Sequence, residues 1–134
     1  MSKPCLLDTN VLVRFFTGQP PEMAGRARAL IAQADTRKLL LQIPSLIVAE
    51  TIYTLESFYE MPKADVCDKM LAFLRSRGIA PLEPDIITDA LERYRSLRVH
   101  FADAYLAASA AASGAPVFSF DEDFARFKDI TWKH

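Results

Sequence analysis

Short apolar runs alternate along this chain with longer stretches of helical periodicity, and that alternation limits its fold more than any other feature. The runs at residues 4–8 (PCLLD), 38–44 (KLLLQIP), 79–83 (IAPLE), 116–121 (PVFSFD) and 129–132 (DITW) have the length and composition of strands. The first reads as buried; the third is weak, and its Pro81 argues either against a strand or for one at an edge. Between them, residues 10–16, 21–35, 46–60, 63–77, 84–97 and 101–114 carry apolar positions at helical spacing, and residues 121–127 form a turn or short helix. Pro21 and Glu22 mark one helix start, Ser45 is the expected cap of another, and Gly18, Gly78 and Gly114 lie just past helix ends. Strands alternating with helices build a parallel sheet through right-handed crossovers. The expected class is therefore α/β: three layers, α/β/α, around a short central, mainly parallel sheet.

A length of 134 residues suits one domain, residues 1–134, with a proper core. No apolar run approaches a membrane span, and the start of the chain lacks the pattern of a signal peptide. The two cysteines, Cys5 and Cys67, fall within a strand and a helix, as small hydrophobes of a reducing compartment do. A cytoplasmic location is the expectation. The formal net charge of −1 excludes a protein that coats nucleic acid by bulk charge, though not one with a local basic rim.

Four acids stand out by position. Asp8 and Asp121 each end an apolar run, and ligands of open parallel sheets bind beyond the carboxyl ends of strands. Glu50 interrupts an apolar helical stretch, and Asp103 opens a helix made mostly of alanine. Singly, each has a plain reading as a turn residue, a cap or a surface charge. Gathered together they would repel one another unless protonated or bridged by a cation. Oxygen ligands alone, without a Cys/His spacing for zinc, suit Mg²⁺ or Mn²⁺. Such a cluster supports hydrolysis of a phosphodiester.

The segments LLDTNVLVR, PSLIVAETIYTL and FADAYLAASAAASGAPVFSFDEDF, in this order, resemble the conserved blocks of PIN-domain proteins, specifically the short VapC-type toxins of bacterial toxin–antitoxin pairs. The resemblance spans essentially the whole chain. It implies a PIN fold and a Mg²⁺-dependent endoribonuclease that cleaves structured RNA with a metal-activated water, Mn²⁺ being an alternative ion. It places Asp8, Glu50, Asp103 and Asp121 at the four acidic positions, as catalytic residues and metal ligands. Asn10 supports the first aspartate, and Ser119 falls at a position usually Thr or Ser. Asp123 competes with Asp121 for the fourth place, and Asp121 is preferred as nearer the strand end. The resemblance further implies an antitoxin of the VapB type, whose apolar tail would enter a groove between helices, and a homodimer.

His100, alone at a helix entrance, is read as structural. Arg14 is open to either a phosphate contact or an ion pair. A related protein that binds or processes RNA without being a toxin is the alternative. A phosphatase of the haloacid dehalogenase type would need a second aspartate where this chain has Asn10.

Overall fold

A computed structural model describes residues 3–134. The chain divides into two compact units, the first ending at Glu83 and the second comprising Pro84–His134. Both mix helices with parallel strands, so the α/β class holds.

The first unit runs β1 (Lys3–Leu6), α1 (Thr9–Thr17), α2 (Pro21–Asp35), β2 (Leu39–Ile43), α3 (Ser45–Ser57), α4 (Lys63–Leu74) and β3 (Ile79–Pro81). The strands form one parallel sheet in the order β1-β2-β3, with Cys5 beside Leu41 and Leu41 beside Ile79. Pro81 is accommodated because β3 is an outer strand, where a missing N–H costs least. The other outer strand, β1, corrects an expectation. Lys3, Pro4 and Leu6 are exposed rather than buried, because the strand is hydrogen-bonded along one side only in this sheet.

The core of this unit joins Leu41 and Ile43 of β2 to Leu12, Val48, Ile52, Leu55, Val66 and Met70, all essentially without exposure. Phe15, Phe16 and Phe73 add an aromatic cluster with ring centroids 5.4–5.7 Å apart. Ser45 does not cap α3; Pro44 holds that place, and the Ser45 hydroxyl donates to Glu83. Helix α4 stops at Leu74, short of residue 77, because the chain turns through Gly78 at φ +79° to enter β3. A β-carbon there would lie 2.2 Å from the Ala34 carbonyl oxygen, so only glycine lets α2 and this turn approach so closely.

The second unit runs α5 (Pro84–Ser96), α6 (Phe101–Ser113), β4 (Val117–Phe118), a 3₁₀ turn (Glu122–Arg126) and β5 (Trp132–Lys133). Helices α5 and α6 pack against each other: Ile87, Ala90, Leu91 and Tyr94 are buried on one, Phe101, Ala104, Ala107 and Ala108 on the other. The small side chains of α6 permit close approach, and the Tyr94 and Phe101 rings meet edge to face at 5.6 Å.

Strands β4 and β5 pair in parallel, Val117 beside Trp132. Both are shorter than the apolar runs predict. Beyond Phe118 the chain leaves its strand because Ser119 and Asp121 bond locally to backbone N–H groups, an alternative to the ladder. Asp129 is held by Arg93 and lies ahead of β5 rather than in it. Cys5 and Cys67 are free thiols. Among the described residues, no helix is long and apolar enough to cross a membrane.

Candidate metal centre

Each unit carries acids at the carboxyl end of a strand, held by the same local device. In the first, the chain leaves β1 and turns into α1, and Asp8 caps that helix. Its carboxylate accepts the Asn10 backbone N–H at 3.4 Å. The intervening Thr9 donates its hydroxyl to Glu50 at 3.1 Å, which ties the start of α1 to the second turn of α3. Asp8 and Glu50 are both exposed. Arg14, one turn along α1, donates to the Tyr59 hydroxyl at 3.3 Å and makes no ion pair among the described residues.

In the second unit Asp121 follows β4 and caps the 3₁₀ turn. Its carboxylate accepts the Asp123 N–H at 2.9 Å, and its own N–H donates to the Ser119 hydroxyl at 3.0 Å. Ser119 thus fixes the bend that presents Asp121. The cap brings Asp123 back beside Asp121, and Asp103 of α6 meets both. One carboxylate oxygen from each of Asp103, Asp121 and Asp123 lies within 4.8 Å of the other two.

Asp103 sits in the first turn of α6, whose cap position is His100 rather than an acid. His100 Nδ1 stands 3.9 Å from an Asp103 oxygen while its ring remains exposed. Arg126 Nε lies 3.5 Å from Asp123. Burial holds the Asp103 carboxyl above its ordinary 3.8, and the negative charge of Asp121 adds to the effect. Asp123 pushes the same way more weakly, and His100 opposes it.

The trio fits a hard divalent cation on chemical grounds. Its donors are carboxylate oxygens only, they are half-buried or exposed rather than sealed, and they crowd one another without a matching number of cationic partners. Of the residues the sequence singles out, the structure brings Asp103 and Asp121 together in one unit. In the other it links Asp8 to Glu50 through the Asp8–Thr9 step. Asp123, weighed in the sequence as a rival of Asp121, lies beside it in the same cluster. The signal was present in the spacing: an aspartate cap bonds the N–H two residues on, so D-E-D brings two carboxylates to one turn.

Residues 5–130 match the model of the PIN domain family. A search of curated proteins found no match. PIN domains are generally nucleases that act on nucleic acids and usually use divalent metals.

Proposed function

The chain belongs to the PIN domain family, and from that premise we propose that it is a Mg²⁺-dependent endoribonuclease, with Mn²⁺ as an alternative ion. The observation that carries this reading is the crowding of Asp103, Asp121 and Asp123 within 4.8 Å on a chain of that family. Asp103 and Asp121 would hold the ion, and Asp123 would add a weaker ligand. Asp8 and Glu50 act as catalytic acids and ligands on the strength of their places in the ordered blocks DTN and VAE. A divalent cation at Asp103, Asp121 and Asp123 would supply Lewis-acid stabilisation of the charge that develops on a phosphodiester. The chain's own part is positional. Ser119 and the 3₁₀ turn hold Asp121, Asn10 supports Asp8, and the first turn of α6 carries Asp103.

The whole of residues 1–134 forms a single PIN domain in this reading, since one family match runs through both units. Its biological role is that of a cytoplasmic toxin of the VapC type, cleaving structured RNA and neutralised by an antitoxin of the VapB type. A cleft of about 450 Å³, flanked by Val11, Met23, Ala27 and Leu30 between α1 and α2, offers a seat for an apolar tail. Tyr53 and Phe58, exposed on and just beyond α3, extend the apolar surface available to that tail or to a second copy in a homodimer.

The test is cleavage of total cellular RNA by homogeneous protein with Mg²⁺, Mn²⁺ or EDTA. Discrete products with either ion and none in EDTA are expected; equal cleavage in EDTA overturns the reading. Light scattering, with and without the protein encoded beside this one, measures the dimer and the complex. A monomer unchanged by that protein removes the toxin role while leaving the nuclease.

A further inference from the structure

The most exposed large apolar side chains of the second unit sit beside its acids. Phe120 is 97% exposed and Phe118 74% exposed. Leaving two phenyl rings in water costs on the order of 2 kcal/mol each relative to burial, and nothing in the local backbone demands them. The chain at this point is firmly placed. The Ser119 N–H donates to the Lys133 carbonyl at 3.1 Å, and the Trp132 indole N–H donates to the Ser119 carbonyl at 2.9 Å. The rings are therefore mounted on a fixed support.

A cation and aromatic rings stand by the Phe118 side of the patch, and the acids by the Phe120 side. The Lys133 ammonium stands 5.8 Å from the centre of the Phe118 ring. The Trp132 and His134 rings stack on each other with centroids 4.2 Å apart. Phe120 is bonded directly to Asp121, so its Cα lies roughly 3.8 Å from that of a metal-binding residue. Phe118 is three residues back, within roughly 10 Å along an extended chain.

We infer that Phe118 and Phe120 form a stacking platform for unpaired RNA bases flanking the cleaved phosphodiester, with Lys133 neutralising a neighbouring phosphate. The inference rests on the nuclease reading and deepens it by naming the side chains that would seat an unpaired strand beside the acids. Aromatic faces beside a cation are what a single strand uses, because every base has a face to stack and every link a charge to meet. Stacking does not distinguish bases, so the platform places the strand and leaves sequence choice to other contacts. A flanking base held on Phe120 would carry its phosphate toward Asp121. A duplex keeps its bases stacked internally and offers no free face to the platform.

The experiment measures binding apart from cleavage. A short fluorescein-labelled single-stranded RNA of mixed sequence is titrated with the full-length chain in EDTA, and anisotropy gives Kd. Phe120→Ala and Phe118→Ala are each expected to weaken binding roughly 5- to 100-fold. Phe120→Trp should bind like the wild type, and Phe120→Leu like the alanine variant. Lys133→Gln should make the dependence of log Kd on log salt shallower by about 0.7. Duplex RNA of the same sequence should bind more weakly and ignore the phenylalanine changes. Circular dichroism melts establish that each variant folds.

Binding unchanged in both alanine variants overturns the inference, as does full recovery with Phe120→Leu, which would mean simple apolar contact. A wild-type dimer that Phe118→Ala and Phe120→Ala convert to monomer, with RNA binding intact, makes the surface an interface between copies and also overturns it. The two readings fail separately. Mg²⁺-dependent cleavage that ignores both rings keeps the nuclease and removes the platform. Ring-dependent binding without cleavage in any metal keeps the platform and removes the nuclease.

Discussion

In both units the chain leaves a strand and soon reaches an aspartate that caps the next helical turn, and yet among the described residues only Asp121 has two further acids of its own unit clustered with it. Asp8 accepts the N–H of Asn10; Asp121 accepts the N–H of Asp123. The devices match, and the residue two places on differs. In D-T-N that residue is an amide, and the neighbouring hydroxyl of Thr9 supplies a donor to Glu50. In D-E-D it is a second carboxylate, and Asp103 makes a third. A cap satisfies a helix start in either case. It becomes a candidate cation site only where the residues it draws in are acids with too few donors to share.

The largest effects expected from breaking this comparison are on activity. Asp103→Asn or Asp121→Asn should lower Mg²⁺-dependent RNA cleavage at least 10²- to 10³-fold, a loss of the order seen when one electrostatic stabiliser is removed from an active site. Asp123→Asn turns D-E-D into a motif like D-T-N and should cost about 10-fold, since it removes the weaker ligand and keeps the cap. Rates measured on one labelled RNA under saturating Mg²⁺ decide the order. If Asp123→Asn proves the most damaging, the fourth acid is Asp123 and Asp121 is only its cap.

Two glycines provide the next comparison, now of stability. Gly78 and Gly114 both lie in the left-handed region, at φ +79° in the turn before β3 and +77° at the end of α6. An added β-carbon would strike the Ala34 carbonyl at Gly78 but would meet nothing within 4 Å at Gly114. Gly114→Ala should cost roughly 1–2 kcal/mol, the conformational penalty alone. Gly78→Ala should add an overlap of backbone atoms and reach roughly 3 kcal/mol or more. Urea denaturation of both proteins tests this; equal losses would mean that α2 shifts readily away from the turn.

How much of this was legible depended on the range of the interaction. Helix α2 runs over residues 21–35 as the periodicity places it, because Pro21, Glu22 and the spacing of Ala24, Ala27 and Ala34 are local signals. Pro81 left two readings for β3, no strand or an edge strand, and the sheet order selects the edge. The four acids were singled out from position and resemblance, and the structure adds geometry for Asp103 and Asp121. The end of β4 was not legible, since PVFSFD has strand composition throughout and only the Ser119 and Asp121 bonds to backbone break it. Nor was the exposure of β1, which depends on which strands pair. The Arg93–Asp129 pair spans 36 positions and leaves no local trace.

That pair is the next lever. Arg93 grips both oxygens of Asp129 at 2.7 and 2.5 Å, bonds Asp89 at 3.0 Å, and lies 5.8 Å from the centre of the Phe127 ring. It fastens the segment after the 3₁₀ turn to α5. Asp129 is 57% exposed on its side chain, so water screens the pair. Arg93→Ala should therefore cost only about 1 kcal/mol by thermal melting near neutral pH. A much larger loss would mean that the segment carrying Asp121 and Asp123 detaches with it, and RNA cleavage would fall in parallel.

The smallest effect expected is a change in how stability follows pH, and it sets the acid trio against the ion pair within one unit. Asp103 is held above its ordinary 3.8, first by burial and then by Asp121. A folded state that binds this proton more tightly than the unfolded chain gains full stability from it below 3.8. That gain is lost as pH rises through the raised value. Asp129 is shifted the other way, below 3.8, chiefly by its hydrogen bonds from Arg93. Its contribution is full above 3.8 and is lost as pH falls through the lowered value. In EDTA the wild type should therefore lose stability on both sides, from different residues. Asp103→Asn should flatten the fall above 3.8 and leave the fall below it. Arg93→Ala should do the reverse. The asparagine also forfeits a helix-start charge worth about 0.3–1 kcal/mol, but that loss shifts the melting curve once Asp103 would be ionised and does not set the slope at the upper end. Saturating Mg²⁺ should flatten the upper fall in the wild type, because a cation bound only by the folded trio favours its charged form. Melting temperatures between about pH 3 and 7, in EDTA and in Mg²⁺, separate these cases. An upper fall that survives Asp103→Asn unchanged, yet disappears with Mg²⁺, would move the strained proton from Asp103 to Asp121 or Asp123 and leave the cation site where it is.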